Sequence, residues 1–353
     1  MDVTVAIQFG QLVGETYDIL PSDLTNSAGN VLTAGGTNYT VVTTIYANDL
    51  ATDMNPDRVN ETVSIGLVCQ ANGAGDVVIA FRGTEGNWEW IHDADFLKVP
   101  CPFLVGAGHT DDGFTAMYNS LRTGAAPNSP IVAKSIGSLP FSRPVTSMTI
   151  CGHSLGGALA TLLTLDLAAN TVFSHPAIYT YGSPRTGDSL FASTFDQVVT
   201  NSYRIENRLD IVPKLPPPPA YQHVDELYVP ELTPVRLLPL PPEILVDFTF
   251  TCEHAMATYL HLLSWRDGTK KAVALTLFAL IVLPNTLKMH RDPVEEDGKR
   301  AWQACYLKVE DIDYCDRVTG YPTHWDPAAT HLKEKLDYLK RNRLNLFSVP
   351  PGS

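Results

Sequence analysis

A Gly-His-Ser-Leu-Gly sequence at residues 152–156 constrains the fold of this chain more than any other segment. An apolar run, Met148–Cys151, precedes it, and small residues with helical character follow it. A serine placed between a strand and a helix with this spacing predicts a nucleophile elbow, a sharp turn that strains the backbone of the serine. The turn requires small residues at the flanking positions, a need that Gly152 and Gly156 meet. We therefore predict that the Ser154 hydroxyl lies at a helix N-terminus, where the helix dipole favours developing negative charge.

Strand-like apolar runs recur on both sides of this turn, and helical patterns separate several of them. The clearest helical pattern covers Gly156–Ala169, where leucines recur at helical spacing. The strand-like runs lie at Val63–Cys69, Val77–Phe81, Val145–Cys151, Ala177–Tyr181, Ser202–Ile205 and Leu227–Val229. Strands that alternate with helices predict an α/β protein with a mostly parallel central sheet.

The composition fits a globular chain and excludes some partners. The 353 residues are 44% apolar and 18% charged, which is enough apolar material for a sizeable core. The formal net charge of −13 opposes binding to nucleic-acid phosphates and anionic membranes, so we expect no nucleic-acid partner. The same charge does not oppose neutral lipids or esters.

Neither the N-terminus nor the longest apolar run is predicted to target the chain to a membrane. The N-terminus shows no basic region followed by an apolar stretch, so no signal peptide is predicted, and secreted and cytoplasmic locations both stay open. The longest apolar run, Ala272–Leu283, is too short to span a bilayer and ends at Pro284. We expect a buried helix or strand there, with a lipid-facing element as the alternative.

The cysteine pattern argues against a metal centre. None of the six cysteines forms a Cys-x-x-Cys pair, so neither a zinc nor an iron–sulfur site is expected, and no cofactor is predicted. Cys151, on the strand before the elbow, is expected to be a buried free thiol. Cys305 and Cys315 are the closest pair in sequence, and the even count permits disulfides.

A serine nucleophile needs a general base, and the base needs a carboxylate to orient it. In α/β hydrolases these residues follow the nucleophile in the order acid, then histidine. Asp210 directly follows the strand-like Tyr203–Ile205, so it falls in a loop at a strand's C-terminal end, where α/β sites form. Asp188 competes, but its surroundings read as a tight turn that caps the next helix, and Asp225 competes more weakly.

The histidine is harder to choose from the residues alone. His254 and His261 are seven positions apart and share about the same helical face, so periodicity does not separate them. His254 lies nearer the loop that begins this helix, from which a base could reach the nucleophile. His223 lies close to a proline-rich loop and is not favoured.

An oxyanion hole is the third requirement, and two donors are expected for it. The backbone N–H of Leu155, the residue after the nucleophile, comes with the elbow. The second follows the apolar strand Val77–Phe81, which ends near Gly83 and leads to Thr84. The backbone N–H and the hydroxyl of Thr84 would both reach the oxyanion.

With these residues in place, the chain resembles the class 3 lipase family of α/β hydrolases, the group of the filamentous-fungal lipases. The resemblance covers roughly residues 60–265. It is carried by five ordered motifs: Ala80–Thr84, Gly152–Gly157, Tyr181–Arg185, Asp210–Pro213 and Tyr221–Val224.

The resemblance implies an α/β-hydrolase fold and ester hydrolysis through an acyl-enzyme, without a metal or organic cofactor. It implies Ser154 as nucleophile, Asp210 as acid, and Thr84 with Leu155 as the oxyanion hole. The pairing of Glu253–His254 with Tyr259–Leu260 resembles plant-type members and raises His254 above His261. The expected activity is that of a triacylglycerol lipase. An esterase for short-chain or feruloyl-type esters, a phospholipase and a non-catalytic binding protein are the alternatives.

The family commonly covers its site with a short amphipathic lid, and residues 85–93 occupy that place here. Trp88, Trp90 and Ile91 are lid candidates that would meet a lipid–water interface, with simple packing over the pocket as the alternative. We expect one domain over residues 1–353, with a C-terminal extension at about 290–353 packed on the family-like core.

Overall fold

A computed structural model describes residues 1–20, 26–48, 62–83, 96–208, 210–224, 226–230 and 254–266. Several predictions concern residues outside these ranges: Thr84, the lid candidates Trp88, Trp90 and Ile91, the apolar run 272–283, the cysteines 252, 305 and 315, and the C-terminal extension. The single-domain prediction therefore stays a prediction.

The described residues form an eight-stranded mixed sheet with a two-stranded ribbon beside it. The strands are β1 (Val31–Ala34), β2 (Thr37–Asn48), β3 (Thr62–Ala71), β4 (Asp76–Phe81), β5 (Lys98–Pro100), β6 (His109–Asp111), β7 (Ser147–His153), β8 (Ala177–Tyr181), β9 (Asn201–Ile205) and β10 (Leu227–Tyr228). The order in the large sheet is β1-β2-β3-β4-β7-β8-β9-β10. Strands β1 to β4 pair antiparallel, whereas β4, β7, β8, β9 and β10 pair parallel.

Helices cover both faces of this sheet. They are α1 (Val3–Ile19), α2 (Asp112–Asn119), α3 (Val132–Ser135), α4 (Leu155–Asn170), α5 (Ser189–Val198) and α6 (Met256–Arg266). Because parallel strands need crossover connections, a helix on either side of the sheet follows from the topology. The predicted α/β-hydrolase class with a mostly parallel central sheet is confirmed.

Alternation along the strands divides the core into two clusters. In β4, Val77, Ile79 and Phe81 point to the face covered by α4, whereas Val78 and Ala80 point to the face covered by α1 and α6. Successive strand residues point to opposite faces, so one buried strand serves both layers. We call these clusters the α4 face and the α1–α6 face.

Helix α1 begins at a clear N-cap. Asp2 adopts extended backbone, and its carboxylate accepts a hydrogen bond from the backbone N–H of Thr4 at 2.9 Å. The buried positions of α1 pack on β1, β4 and β7 and alongside α6. None of the helices in the described ranges is both long and apolar enough to cross a membrane.

Candidate active site

The turn at Ser154 is a strained strand-to-helix junction, as the sequence predicts. Ser154 joins β7 to α4 with φ of 57° and ψ of −129°, a left-handed φ that a non-glycine residue rarely adopts. A Cβ atom on Gly152 would lie 2.1 Å from the carbonyl oxygen of Gly156, and one on Gly156 would lie 2.3 Å from that of Arg82. Only glycine fits at either position, so these two residues make room for the turn.

Ser154 uses its backbone, and not its hydroxyl, for structural hydrogen bonding. The backbone N–H of Ser154 donates to the carbonyl oxygen of Tyr181 on the neighbouring strand β8 at 3.0 Å. Its Oγ is buried and has no hydrogen-bond partner among the described residues. A buried hydroxyl without a partner costs free energy, and such costs concentrate at functional positions.

Asp210 and His254 form a fully buried pair. The Nδ1 atom of His254 lies 2.6 Å from Oδ2 of Asp210, and neither side chain is exposed to solvent. The other carboxylate oxygen, Oδ1, accepts from the backbone N–H of Val212 at 2.9 Å. A carboxylate on Nδ1 fixes the ring orientation and favours the charged imidazolium, which are the two duties of the acid in a catalytic triad.

Tyr259 adds a second side-chain donor to this carboxylate. Its hydroxyl donates to Oδ2 of Asp210 at 2.6 Å and accepts from the backbone N–H of Asn207 at 3.2 Å. In the sequence Tyr259 belongs to the motif around His254, and no role is predicted for it there. Tyr259 lies in the first turn of α6 and His254 just before that helix, and both contact Asp210 in the loop that follows β9.

Gly182 marks where these groups converge. It has φ of 59°, and a Cβ atom there would lie 2.9 Å from both Oδ2 of Asp210 and the Tyr259 hydroxyl, and 3.0 Å from Cε1 of His254. Gly182 directly follows Tyr181, the acceptor for the Ser154 N–H. The structure therefore brings the three predicted residues to one place, beyond the C-terminal ends of β7, β8 and β9.

Of the two predicted oxyanion donors, the structure describes Leu155 only. Leu155 is buried and begins α4 directly after the elbow. Gly83 follows β4, and a Cβ atom on it would lie 2.8 Å from Cβ of Ser154. Thr84 comes next in the chain but lies outside the described residues, so both oxyanion roles stay predictions.

His153 contributes contacts that the sequence did not reveal. Its ring lies 4.6 Å from that of His254 between centroids, and its Nε2 is 2.6 Å from the backbone carbonyl oxygen of His254. Its Nδ1 is 2.6 Å from the hydroxyl of Tyr17 on α1. Burial, reinforced by the neighbouring His254, lowers the pKa of His153 well below its ordinary value, so the ring is neutral at pH 7.

Two of the alternative residues for the acid and the base, Asp188 and His223, make structural contacts elsewhere. Asp188 is the N-cap of α5 and accepts from the backbone N–H of Phe191 at 2.9 Å. His223 Nε2 lies 2.5 Å from the carbonyl oxygen of Pro213 and 3.3 Å from Glu206. Asp225 and the side chain of His261 lie outside the described residues.

The other titratable groups of the described core show no second centre. Across the described ranges, no group of three or more His, Cys, Asp and Glu residues is arranged to hold a metal ion. Cys151 is a buried free thiol, and burial raises its pKa well above the ordinary value.

Comparison with known proteins gives a family match over the segment that contains the elbow. Residues 78–219 match the family described as "Lipase (class 3)", which confirms the resemblance drawn from the motifs. The matched segment includes Ser154 and Asp210 and ends before His254.

Curated relatives extend the similarity beyond that segment. Phospholipase A1-II 7 of Oryza sativa subsp. indica is 26% identical in an alignment 336 positions long that covers 79% of this chain and 81% of that protein. Secreted mono- and diacylglycerol lipase 1 of Fusarium solani is 30% identical over 152 residues, or 42% of each chain. The chain thus spans less than half the length of the Fusarium protein, and also of several further rice phospholipases A1 that it matches.

Among solved structures, the lipase from Rhizopus microsporus var. chinensis is 24% identical. The match covers 62% of this chain and 73% of that one, with a TM-score of 0.45.

Proposed function

Taking the chain as a carboxylic ester hydrolase of the class 3 lipase type, we propose that it removes acyl chains from glycerolipids through a covalent acyl-enzyme. Ser154 is the nucleophile, His254 the general base and acid, and Asp210 the residue that orients His254. The observation that carries the proposal is the buried 2.6 Å contact between His254 and Asp210, beside a strained serine whose hydroxyl has no partner in the described residues.

Acylation begins when Ser154 Oγ attacks the ester carbonyl and His254 accepts its proton. Because Asp210 holds Nδ1, the opposite ring nitrogen, Nε2, is the atom that takes this proton. The resulting imidazolium is stabilised by the buried carboxylate, whose attraction is strong in a water-poor site. The tetrahedral oxyanion would be bound by the backbone N–H of Leu155 and by Thr84, each worth about 3–4 kcal/mol of barrier.

Collapse of the intermediate breaks the bond to the leaving alcohol, which takes the proton from His254. A water molecule then attacks the acyl-enzyme with His254 as base again, and the fatty acid leaves as Ser154 recovers its proton. No step needs a group beyond the residues named and water.

The names of the relatives support a choice of substrate. Seven of the curated relatives are rice phospholipases A1, and one of them aligns over most of this chain, so we propose a phosphoglyceride as the substrate. A neutral acylglycerol is the second candidate. It is favoured by the Fusarium lipase and by the acidic net charge of this chain, which opposes anionic headgroups. In either case Trp88, Trp90 and Ile91 would contact the lipid–water interface.

The testing experiment compares wild type, Ser154→Ala and Ser147→Ala on a panel of esters. The panel contains p-nitrophenyl esters from C2 to C16, phosphatidylcholine vesicles and trioleoylglycerol emulsion. Ser147 lies on the same strand, with its hydroxyl 2.6 Å from Asp76 at the far end, so its loss controls for a Ser→Ala change in β7.

We expect Ser154→Ala to lose all measurable hydrolysis, while Ser147→Ala keeps the wild-type rate. Release of lysophosphatidylcholine would support the phospholipase, and release of diacylglycerol the acylglycerol lipase. A preference for C2–C4 esters would favour the short-chain esterase instead. Hydrolysis that survives in Ser154→Ala would contradict the mechanism, and a wild type inactive on the whole panel would favour a binding protein.

A further inference from the structure

A continuous set of hydrogen bonds crosses the α1–α6 face behind the proposed catalytic residues. The backbone N–H of Gly83 donates to the Tyr17 hydroxyl at 2.7 Å. That hydroxyl lies 2.6 Å from Nδ1 of His153, and Nε2 of His153 lies 2.6 Å from the carbonyl oxygen of His254. All three side chains are buried, and none belongs to the triad except His254.

Elementary chemistry fixes where the protons are in this chain of bonds. A carbonyl oxygen only accepts, so Nε2 of His153 must carry a proton to donate to His254. A neutral ring has only one N–H, so Nδ1 of His153 is an acceptor and takes the Tyr17 proton. The Tyr17 oxygen in turn accepts from Gly83. Each hydrogen bond in this series therefore has one defined donor and one defined acceptor.

We propose that Tyr17 and His153 are positioning residues that hold the backbone of His254 and the end of β4 in one fixed arrangement around Ser154. This inference rests on the proposed function and deepens it. His153 is the chain neighbour of Ser154, so a bond from its ring to the His254 carbonyl ties the base to the nucleophile without touching substrate. Tyr17 ties the same ring to the residue that follows β4.

The neutral state of His153 matters for the chemistry next to it. During acylation His254 becomes an imidazolium, and the two ring centroids are only 4.6 Å apart. A second positive charge at His153 would oppose that step. Burial keeps the His153 ring uncharged, and the Tyr17 hydroxyl donates to the nitrogen that would otherwise be protonated.

The first test is kinetic and uses two matched tyrosine changes. Tyr17→Phe removes only the hydroxyl and keeps the ring, which packs edge-on against His153. Tyr39→Phe is the control, because the Tyr39 hydroxyl also bonds α1 to the sheet, accepting from Gln8 at 2.7 Å. Tyr39 takes no part in the hydrogen bonds that join Gly83, Tyr17, His153 and His254. We expect kcat of Tyr17→Phe to fall by about 10- to 100-fold with KM within about threefold, since small misplacements of reacting groups cost this much. A kcat within about twofold of Tyr39→Phe would overturn the proposal.

The second test asks whether a donor to the His254 carbonyl is what His153 supplies. His153→Gln offers an amide N–H near the former Nε2, whereas His153→Leu offers a similar volume with no donor. We expect His153→Gln to retain a kcat at least about tenfold above that of His153→Leu, with similar denaturation midpoints. Equal kcat values at equal stability would show that His153 only fills space.

The third test does not depend on activity, so it separates failure of the proposed Tyr17–His153 hydrogen bonding from failure of the proposed hydrolysis. Histidine labelled with ¹⁵N reports tautomer and charge in the intact wild type and in the inactive Ser154→Ala protein. We expect His153 in the neutral Nε2–H form from pH 7.5 to 5.5, with an Nδ1 signal that shifts in Tyr17→Phe and not in Tyr39→Phe. An Nδ1–H tautomer of His153, or a His153 imidazolium at pH 6, would overturn the positioning role proposed for Tyr17 and His153 even if ester hydrolysis is confirmed.

Discussion

The two faces of the central sheet are built from different materials. Among the described residues, the hydrophobic cluster of the α4 face contains one buried tyrosine, Tyr118, and helix α4 itself is buried along nearly its whole length. The α1–α6 face buries five tyrosines in its cluster: Tyr17, Tyr39, Tyr179, Tyr181 and Tyr259. Two of them bond groups of the candidate site, Tyr17 to His153 and Tyr259 to Asp210.

The two faces therefore contribute differently to the site: one holds the helix that carries Ser154, and the other orients the side chains around Ser154. On the α4 face, packing fixes the helix that carries the elbow, and its energy is non-directional. On the α1–α6 face, hydrogen bonds with defined donors fix the rings and carboxylate around the elbow, and their energy depends on angle and distance. Changes on the two faces should therefore affect stability and catalysis in different proportions.

The largest effect should come from the carboxylate itself. Asp210→Asn keeps the shape of the side chain but offers His254 the wrong donor pattern, so we expect kcat to fall by about 10,000-fold. Steady-state hydrolysis of a p-nitrophenyl ester measures it. Asp188→Asn is the control, since asparagine also caps a helix and should leave kcat unchanged. Activity of Asp210→Asn within about tenfold of wild type would exclude Asp210 as the acid.

A pair of leucine truncations tests the division between the faces. Leu163 on α4 and Leu12 on α1 are both fully or almost fully buried. Each Leu→Ala change should reduce the free energy of unfolding by about 2–5 kcal/mol, as measured by urea denaturation. At a temperature where both remain folded, only Leu12→Ala should lower kcat, because α1 carries Tyr17. Equal kcat values in the two variants would remove the distinction.

Two tyrosine–aspartate hydrogen bonds, one on each face, give a more specific test of the difference between the faces. Tyr259 donates to Asp210 at 2.6 Å on the α1–α6 face, and Tyr118 donates to Asp166 at 2.5 Å on the α4 face. Loss of a hydrogen bond to a charged group costs about 1.5–3 kcal/mol, so either Tyr→Phe change should destabilise the protein. We expect kcat to fall about 10-fold in Tyr259→Phe and to stay unchanged in Tyr118→Phe, as measured by ester hydrolysis.

The smallest effect concerns pH and stability. Burial lowers the pKa of both His153 and His223 well below 6.5 in the folded protein, so the unfolded chain binds more protons below that pH. The folded state therefore loses stability as pH falls below about 6.5, by up to about 1.4 kcal/mol per pH unit for each histidine.

Urea denaturation of wild type and His223→Gln between pH 7 and 5 measures this slope. The substitution should remove about one histidine's share of it. Comparing the two proteins cancels the opposite contribution of carboxyl groups such as Asp111, whose pKa burial raises. Parallel curves for the two proteins would mean that His223 is not neutral in the folded state.

The elbow was predictable because its signal is local. Strand, turn and helix lie within the single segment 147–170, and the steric demand on Gly152 and Gly156 is visible in the residue types. Asp210 was predictable from its place after a strand. Its partner was harder to predict, because His254 and His261 have the same periodicity. Only the nearness of His254 to the loop before the helix and the family resemblance separated the two histidines.

The α1–α6 face was not predictable, because its contacts join residues far apart in the chain. Tyr17 meets His153 across 136 positions. Helix α1 itself was missed, since its β-branched residues and Gly10 and Gly14 have low helix propensity that tertiary packing overrides. Strand β2 was also missed, although its many Thr, Val and Tyr residues favour a strand.

The position of His254 and Tyr259 so late in the chain has a consequence for how the protein is made. A ribosome completes the elbow about 100 residues before it reaches α6, and the last residue of the α4 cluster, Val224, about 30 residues before it. Under the roles proposed above, the unfinished chain holds a serine with no base to activate it. On that proposal, ester hydrolysis begins only after the later residues have left the ribosome and α6 packs beside α1, so the nascent chain has no hydrolytic activity.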